Sequence, residues 1–216
     1  MMVMTNDIDI KTSEKIYYQD YDNLIRFISY FYQINLVRQL SPQRILEIGI
    51  GNKTVSNYLK HNGFKISTCD YDKDLEPDFV ADIRELPFED NCYDLVMACE
   101  IMEHLPWDDV PVILKQLHRV TSKYVIISVP YLSFYFEIAI KIPMFNKIFK
   151  RQFLDLFLRW PFANFRTCSK SHQWEIGMRG CPLRKFRKLV QKYFNVIKEV
   201  RPVLNPKHYF FVLEKA

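Results

Sequence analysis

The sequence predicts an α/β domain built on a doubly wound, mostly parallel sheet, with an antiparallel C-terminal strand and a helical insert. Three observations predict it. Short apolar runs alternate with helical patterns between residues 44 and 129. The turn Glu47-Ile48-Gly49-Ile50-Gly51 follows the first of these runs and feeds a helix that begins near Lys53. Two later runs, 194–200 and 208–213, are separated by a loop around Asn205-Pro206. That loop is too short for a crossover helix, so the two runs must pair antiparallel.

Each element has a local reason. Residues 13–40 read as helical because Leu24, Ile25, Phe27, Ile28, Phe31, Ile34 and Leu36 recur near helical spacing, and Ser41-Pro42 ends them. A strand follows at 44–48, a helix at 53–61 stopped by Asn62-Gly63, and a strand at 64–69. Strands are expected at 78–81, 93–98 and 123–129, with a helix at 107–119 before the last. The runs at 93–98 and 123–129 are apolar enough to be central. Pro182 opens a basic helix over 183–193. Residues 131–181 form the insert.

Composition bounds the class. A chain of 216 residues, 49% apolar and 25% charged, suits one globular domain with or without a subdomain. Met1 to Lys11 lack a basic segment followed by an apolar stretch, so no secretory signal is read there. No window approaches the roughly 18 apolar residues of a membrane span. Cys69, Cys92, Cys99, Cys168 and Cys181 form no Cys-x-x-Cys pair. They read as reduced thiols of a cytoplasmic protein, and no metal is expected. The net charge of +5 falls entirely within residues 131–170, so it is a local feature.

Chemistry concentrates after the strands. Gly49 and Gly51 let the backbone turn tightly and approach a ligand. Asp70 closes the second strand, where an acid suits the two hydroxyls of a ribose. Asp72 is the alternative for that role. Further stretches stand in order: Thr68-Cys69-Asp70-Tyr71-Asp72, Ala81-Asp82-Ile83-Arg84-Glu85-Leu86-Pro87-Phe88, and Tyr93 to Leu105, which contains Cys99-Glu100-Ile101-Met102-Glu103-His104.

With these motifs in sequence, residues 44–129 resemble the Rossmann-like core of class I S-adenosylmethionine-dependent methyltransferases, of the methyltransferase type 11 kind. The resemblance covers about two thirds of the chain once the C-terminal hairpin is included. It implies a single methyltransferase domain over 1–216 that binds S-adenosyl-L-methionine. By the same resemblance, Glu47 faces the amino end of the methionine part, with Gly49 and Gly51 beside it. Asp70 takes the ribose hydroxyls and Tyr71 lies near the adenine. Asp82 meets the adenine amino group, and Ile83 supplies a backbone donor and an apolar wall. Cys99 and Glu100 border the sulfonium, and His104 stands at the lip of the cleft. The chain departs from the family at Lys53, where a small residue is common. A nicotinamide dinucleotide is the competing cofactor, but its fingerprint places glycine where this chain has Thr54. A non-catalytic cofactor-binding scaffold is the competing function.

The insert points to the acceptor. Between 145 and 160, Phe145, Ile148, Phe149, Phe153, Leu156, Phe157 and Trp160 recur at spacings of three and four, with basic residues largely between them. The spacing predicts an amphipathic helix. It reads either as a lid or as a peripheral contact with an anionic membrane surface. Nucleic acid is not expected as a partner. Ser171-His172-Gln173-Trp174-Glu175 concentrates functional side chains in a loop. His172 is the candidate general base, since imidazole changes charge near neutral pH. Glu175 would orient it, and Trp174 and Tyr131 would contact the acceptor. The acceptor is expected to be a small molecule, a sugar or a lipid-linked compound, methylated on oxygen or nitrogen.

Overall fold

A computed structural model describes residues 21–144, 147, 149, 153–160 and 165–216. The N-terminal helix α1 spans Leu24–Leu40, its first turn capped by the Asn23 side chain, which accepts from the Arg26 amide at 3.0 Å. Expected helix over 13–20 lies outside the described residues. The core alternates β1 (Arg44–Ile48), α2 (Thr54–His61), β2 (Lys65–Asp70), β3 (Phe79–Val80) and β4 (Tyr93–Cys99). It continues with α3 (Val110–Val120) and β5 (Thr121–Pro130). The insert contributes β6 (Phe134–Ile140) and β7 (Leu154–Trp160). The chain closes with α4 (Leu183–Val190), β8 (Phe194–Val200) and β9 (His208–Lys215).

Seven strands form one sheet in the order β3-β2-β1-β4-β5-β9-β8. The pairs from β3 to β5 are parallel, and β9 pairs antiparallel with both β5 and β8. The expected sheet, with its reversed last strand, is the one observed. Two apolar layers cover it. Ile113, Leu114 and Leu117 of α3 and Phe186 and Val190 of α4 pack on one face. Tyr30, Leu36 and Val37 of α1 and Val55 and Leu59 of α2 pack on the other. Strand order reverses direction between β1 and β4. In open parallel sheets the carboxyl ends at such a switch form the ligand crevice.

The insert corrects one expectation. Residues 154–160 are a strand, not the end of an amphipathic helix, and pair antiparallel with β6 from Phe134↔Trp160 to Ile140↔Leu154. The expected helical residues 145, 146, 148 and 150–152 lie outside the described residues. The physical reason lies in period. Leu154, Leu156, Leu158 and Trp160 also alternate at a spacing of two, matched across the hairpin by Phe134, Phe136, Ile138 and Ile140. All eight are exposed on one face. The opposite face is tied to the domain by charge. Arg201 donates to Glu137 at 2.5 Å and also to Asp155, and its guanidinium lies 4.0 Å from the Phe157 ring centroid. Arg159 donates to the Pro206 carbonyl at 2.9 Å and covers the Tyr131 ring at 3.6 Å.

Arg201 therefore clamps both hairpin strands. Arg201→Met strands two partly buried carboxylates and should cost about 3 kcal/mol by urea titration. It should also speed proteolytic nicking of the hairpin. A variant as stable and as protease-resistant as the parent would contradict the clamp.

Candidate functional site

Parallel register brings the ends of β1, β2 and β4 to one edge. Ile48 lies beside Cys69 on one side and Ala98 on the other. The turn after β1 carries Gly49 at φ 76° and Gly51 at φ 49°, both left-handed. A Cβ on Gly49 would come within 2.5 Å of the Ile101 side chain, so only glycine fits. Lys53 is also left-handed, at φ 61°, and its ammonium lies 3.7 Å from Glu76. The family's small residue is thus replaced by a side chain turned toward a surface carboxylate.

Asp70 organises this turn. Its Oδ2 accepts from the Ile50 amide at 2.9 Å, and its Oδ1 from the Asp72 amide at 2.9 Å. Each carboxylate oxygen retains a second lone pair for a ligand hydroxyl. Burial raises the Asp70 carboxyl above its ordinary range. Asp72 instead caps the turn Lys73–Leu75 by accepting from the Asp74 amide at 2.9 Å. That leaves Asp70 as the acid facing the glycine turn.

Glu47 is 5% exposed, and its Oε2 has no hydrogen-bond partner among the described residues. Burial lifts its carboxyl from 4.5 to about 8. An orphaned buried carboxylate beside a glycine turn suits a cationic ligand group, which would restore the lost solvation. Above the turn, Tyr30 donates to Asp22 at 3.1 Å and Asn52 donates to Asp22 at 2.8 Å, tying α1 to the loop. The sequence reading missed Tyr30, Asp22 and Asn52, because their association is wholly tertiary.

The remaining cofactor candidates are distributed around the same edge. Asp82 is held by Arg84, whose Nη2 donates to it at 2.6 Å and keeps its carboxyl below the ordinary range. Ile83 is buried in the core layer, and Tyr71 is exposed. Burial pushes the Cys99 thiol up. Glu100 is left-handed at φ 56°, a sparsely populated conformation for a residue with a side chain. It accepts from the Ser128 hydroxyl at 2.8 Å and lies 3.5 Å from His208 Nε2. His208, on β9, was another residue that the sequence did not single out.

The loop after the hairpin is stitched across the crevice onto the segment after β4. The Gln173 amide donates to the Glu103 carbonyl at 2.7 Å, and its side chain donates to the His104 carbonyl at 3.1 Å. His104 Nδ1 lies 2.9 Å from the Ser171 carbonyl, and the His104 and His172 rings meet edge to face at 4.9 Å. His172 Nδ1 lies 2.8 Å from Glu175 Oε1. Burial alone would raise the Glu175 carboxyl, but the His172 bond and the Ser169 amide outweigh it and hold it low. The expected His172–Glu175 pair and His104 therefore share one site. Trp174 does not take the expected stacking role. At 2% exposure it has no open face, and its indole N–H donates to the Leu105 carbonyl at 3.0 Å. Trp107 and Phe186 enclose it, so it anchors the loop. Tyr131 sits beneath the Arg159 guanidinium at the root of the hairpin.

Residues 46–128 match the sequence profile of a family described as a methyltransferase domain. The chain has the fold of class I methyltransferases. Solved structures share that fold across nearly the whole chain. The PH0226 protein of Pyrococcus horikoshii is 16% identical, with a TM-score of 0.60 and 94% of each chain covered. Magnesium protoporphyrin IX methyltransferase of Synechocystis, with bound S-adenosylhomocysteine, is 11% identical at a TM-score of 0.59, covering 94% of this chain and 92% of that one. The N-methyltransferase NodS of Bradyrhizobium japonicum, also with S-adenosylhomocysteine, is 8% identical at 0.59, covering 94% and 93%. No curated protein matches the chain. The glycine turn and the segment after β4 both lie at the carboxyl edge of the sheet, and the His172 loop is hydrogen-bonded to that segment.

The Glu47 carboxyl makes the stability of the chain pH-dependent with a definite sign. Its folded-state value lies above the ordinary one, so between about pH 4.5 and 8 the folded chain holds a proton that the unfolded chain has lost. Stability from this group is therefore lost as pH rises through that window. Glu47→Gln removes the dependence. The melting temperature of the variant minus that of the parent, without ligand, should climb between those pH values by on the order of 5–10 °C. A flat difference would refute the assignment.

Proposed function

We propose that the protein transfers a methyl group from S-adenosyl-L-methionine to an oxygen or nitrogen of a small-molecule, sugar or lipid-linked acceptor. The observation that carries this reading is the pair of carboxylates flanking one glycine turn, buried Glu47 with an orphaned oxygen and half-buried Asp70 with spare acceptor capacity. The family match and the cofactor products seen in neighbouring folds support the same ligand. When bound, the cofactor supplies a methyl group made electrophilic by sulfonium charge.

The chain's residues do the rest. Glu47 would hold the amino end of the cofactor and Asp70 the ribose hydroxyls, while Gly49 and Gly51 allow backbone approach. Asp82, Ile83 and Tyr71 would define the adenine end, and Cys99 and Glu100 the floor near the reacting carbon. Such fixing of reactants in line accounts for much of the rate in displacement chemistry. On the opposite side, Glu175 accepts from His172 Nδ1 and so leaves Nε2 as the basic nitrogen. His172 would take the proton of an acceptor hydroxyl as the new bond forms. His104 would position the acceptor beside it, and Tyr131 would border it.

The hairpin supports a peripheral contact with an anionic lipid surface. No described helix is long and apolar enough to cross a membrane. The exposed face of β6 and β7 is apolar along its whole length, and Lys141 and Lys147 are exposed near its tip. Aromatic and aliphatic residues bordered by Lys suit an interfacial seat near anionic headgroups.

Asp70→Ala should lower affinity for S-adenosylhomocysteine at least a hundredfold by calorimetry. His172→Ala should leave that affinity within about twofold and reduce labelled methyl transfer to cell extract by roughly 10²–10⁴. The reverse pattern would exchange the two roles, and binding without transfer to any extract would favour a scaffold. Phe136→Ser with Leu158→Ser should reduce sedimentation with anionic vesicles about tenfold and leave neutral vesicles unbound. Self-association of the parent protein without vesicle binding would assign the hairpin face to a second copy instead.

A further inference from the structure

We propose that Glu103, His104 and His172 form a binding site for a divalent first-row transition-metal ion, such as Zn²⁺ or Mn²⁺. Each of the three offers one donor atom, and these atoms lie within 4.8 Å of one another. Ligands about 2.1 Å from a tetrahedral centre stand about 3.4 Å apart, so the side chains need close by no more than roughly 1.4 Å on binding.

Three observations support the site. Glu103 is 0% exposed, yet neither carboxylate oxygen has a hydrogen-bond partner among the described residues. An ionised carboxylate is rarely left so, because its lost hydration must be replaced by a partner or a cation.

Both rings also have the tautomer of a ligand. The Ser171 carbonyl and the Glu175 carboxylate only accept hydrogen bonds, so the Nδ1 atoms of His104 and His172 must donate to them. Each ring then presents Nε2 as an unprotonated nitrogen. A carboxylate or carbonyl behind the far ring nitrogen is the usual arrangement behind metal-bound histidine. Finally, the Gln173 bonds to the Glu103 and His104 carbonyls hold the two halves of the site together across the crevice.

Two imidazoles and one carboxylate fit a divalent first-row transition-metal ion and leave coordination positions open. This rests on the proposed methyl transfer for the role of the ion and, in the ion-loaded protein, replaces His172 as the group that activates the acceptor. With the ion in place, His172 is a ligand. The positive charge lowers the pKa of an acceptor hydroxyl bound at an open position, and its proton passes to solvent. The oxygen lone pair then forms the bond to the methyl carbon as the carbon–sulfur pair returns to sulfur.

Equilibrium dialysis of the full chain against Zn²⁺, and separately Mn²⁺, followed by elemental analysis, tests the site. One ion per chain is expected. His172→Ala and Glu103→Gln should each weaken retention at least a hundredfold, and Glu175→Gln about tenfold through loss of the ring's partner. Circular dichroism checks that each variant is folded. If Glu103→Gln fails to fold, the His172 and Glu175 variants still decide. Substoichiometric metal in the parent, or equal retention by parent and His172→Ala, overturns the site. Calorimetry with S-adenosylhomocysteine separates the two proposals. A chain that binds the ion but not this ligand supports the metal site and overturns the methyltransfer reading alone.

Discussion

The Asp70 carboxylate accepting from the Ile50 amide is the contact on which the site depends. It fastens the turn after β1 to the end of β2, so the glycine backbone has one position relative to the second strand. A carboxylate accepting backbone N–H bonds is a strong, charge-assisted anchor. Parallel pairing of β1 with both β2 and β4 then carries that position to Cys99 and Glu100. A loop without this anchor would leave the crevice edge undefined.

Two buried carboxylates on this edge are incompletely satisfied, Glu47 in one oxygen and Glu103 in both. A folded chain tolerates such groups only by keeping them protonated or by supplying a positive charge. They lie on different strand ends, Glu47 in β1 and Glu103 in the 3₁₀ turn after β4. On the proposed function, Glu47 would mark the cofactor side of the crevice and Glu103 the acceptor side. The cost of burying them falls on stability, and the benefit is a site in which solvent does not compete for the ligand.

The hairpin follows a different logic. Its inner face is bound to the domain by Arg159 and Arg201, while its outer face exposes a continuous apolar strip. Charged residues on the hidden side and apolar residues on the open side invert the pattern of an ordinary surface hairpin. An exposed apolar strip of this kind is the property on which the proposed lipid contact rests. The loop that follows returns through Trp174, whose burial carries His172 and Glu175 back over the crevice.

Sequence alone determined the strand and helix alternation, the reversed last strand, the glycine turn and the acids at the ends of β1 and β2. These are local: periodicity, turn chemistry and loop length act over a few residues. Only tertiary structure decided the rest. The insert carried both a helical and a two-residue period, and pairing with β6 selected the strand. Trp174 looked like a free aromatic until burial enclosed it. Glu103 and His104 gave no sign of meeting His172, because hydrogen bonds between distant segments bring them together. A metal-ligating or proton-transferring group is defined by what surrounds it, and burial and distance exist only once the chain has folded.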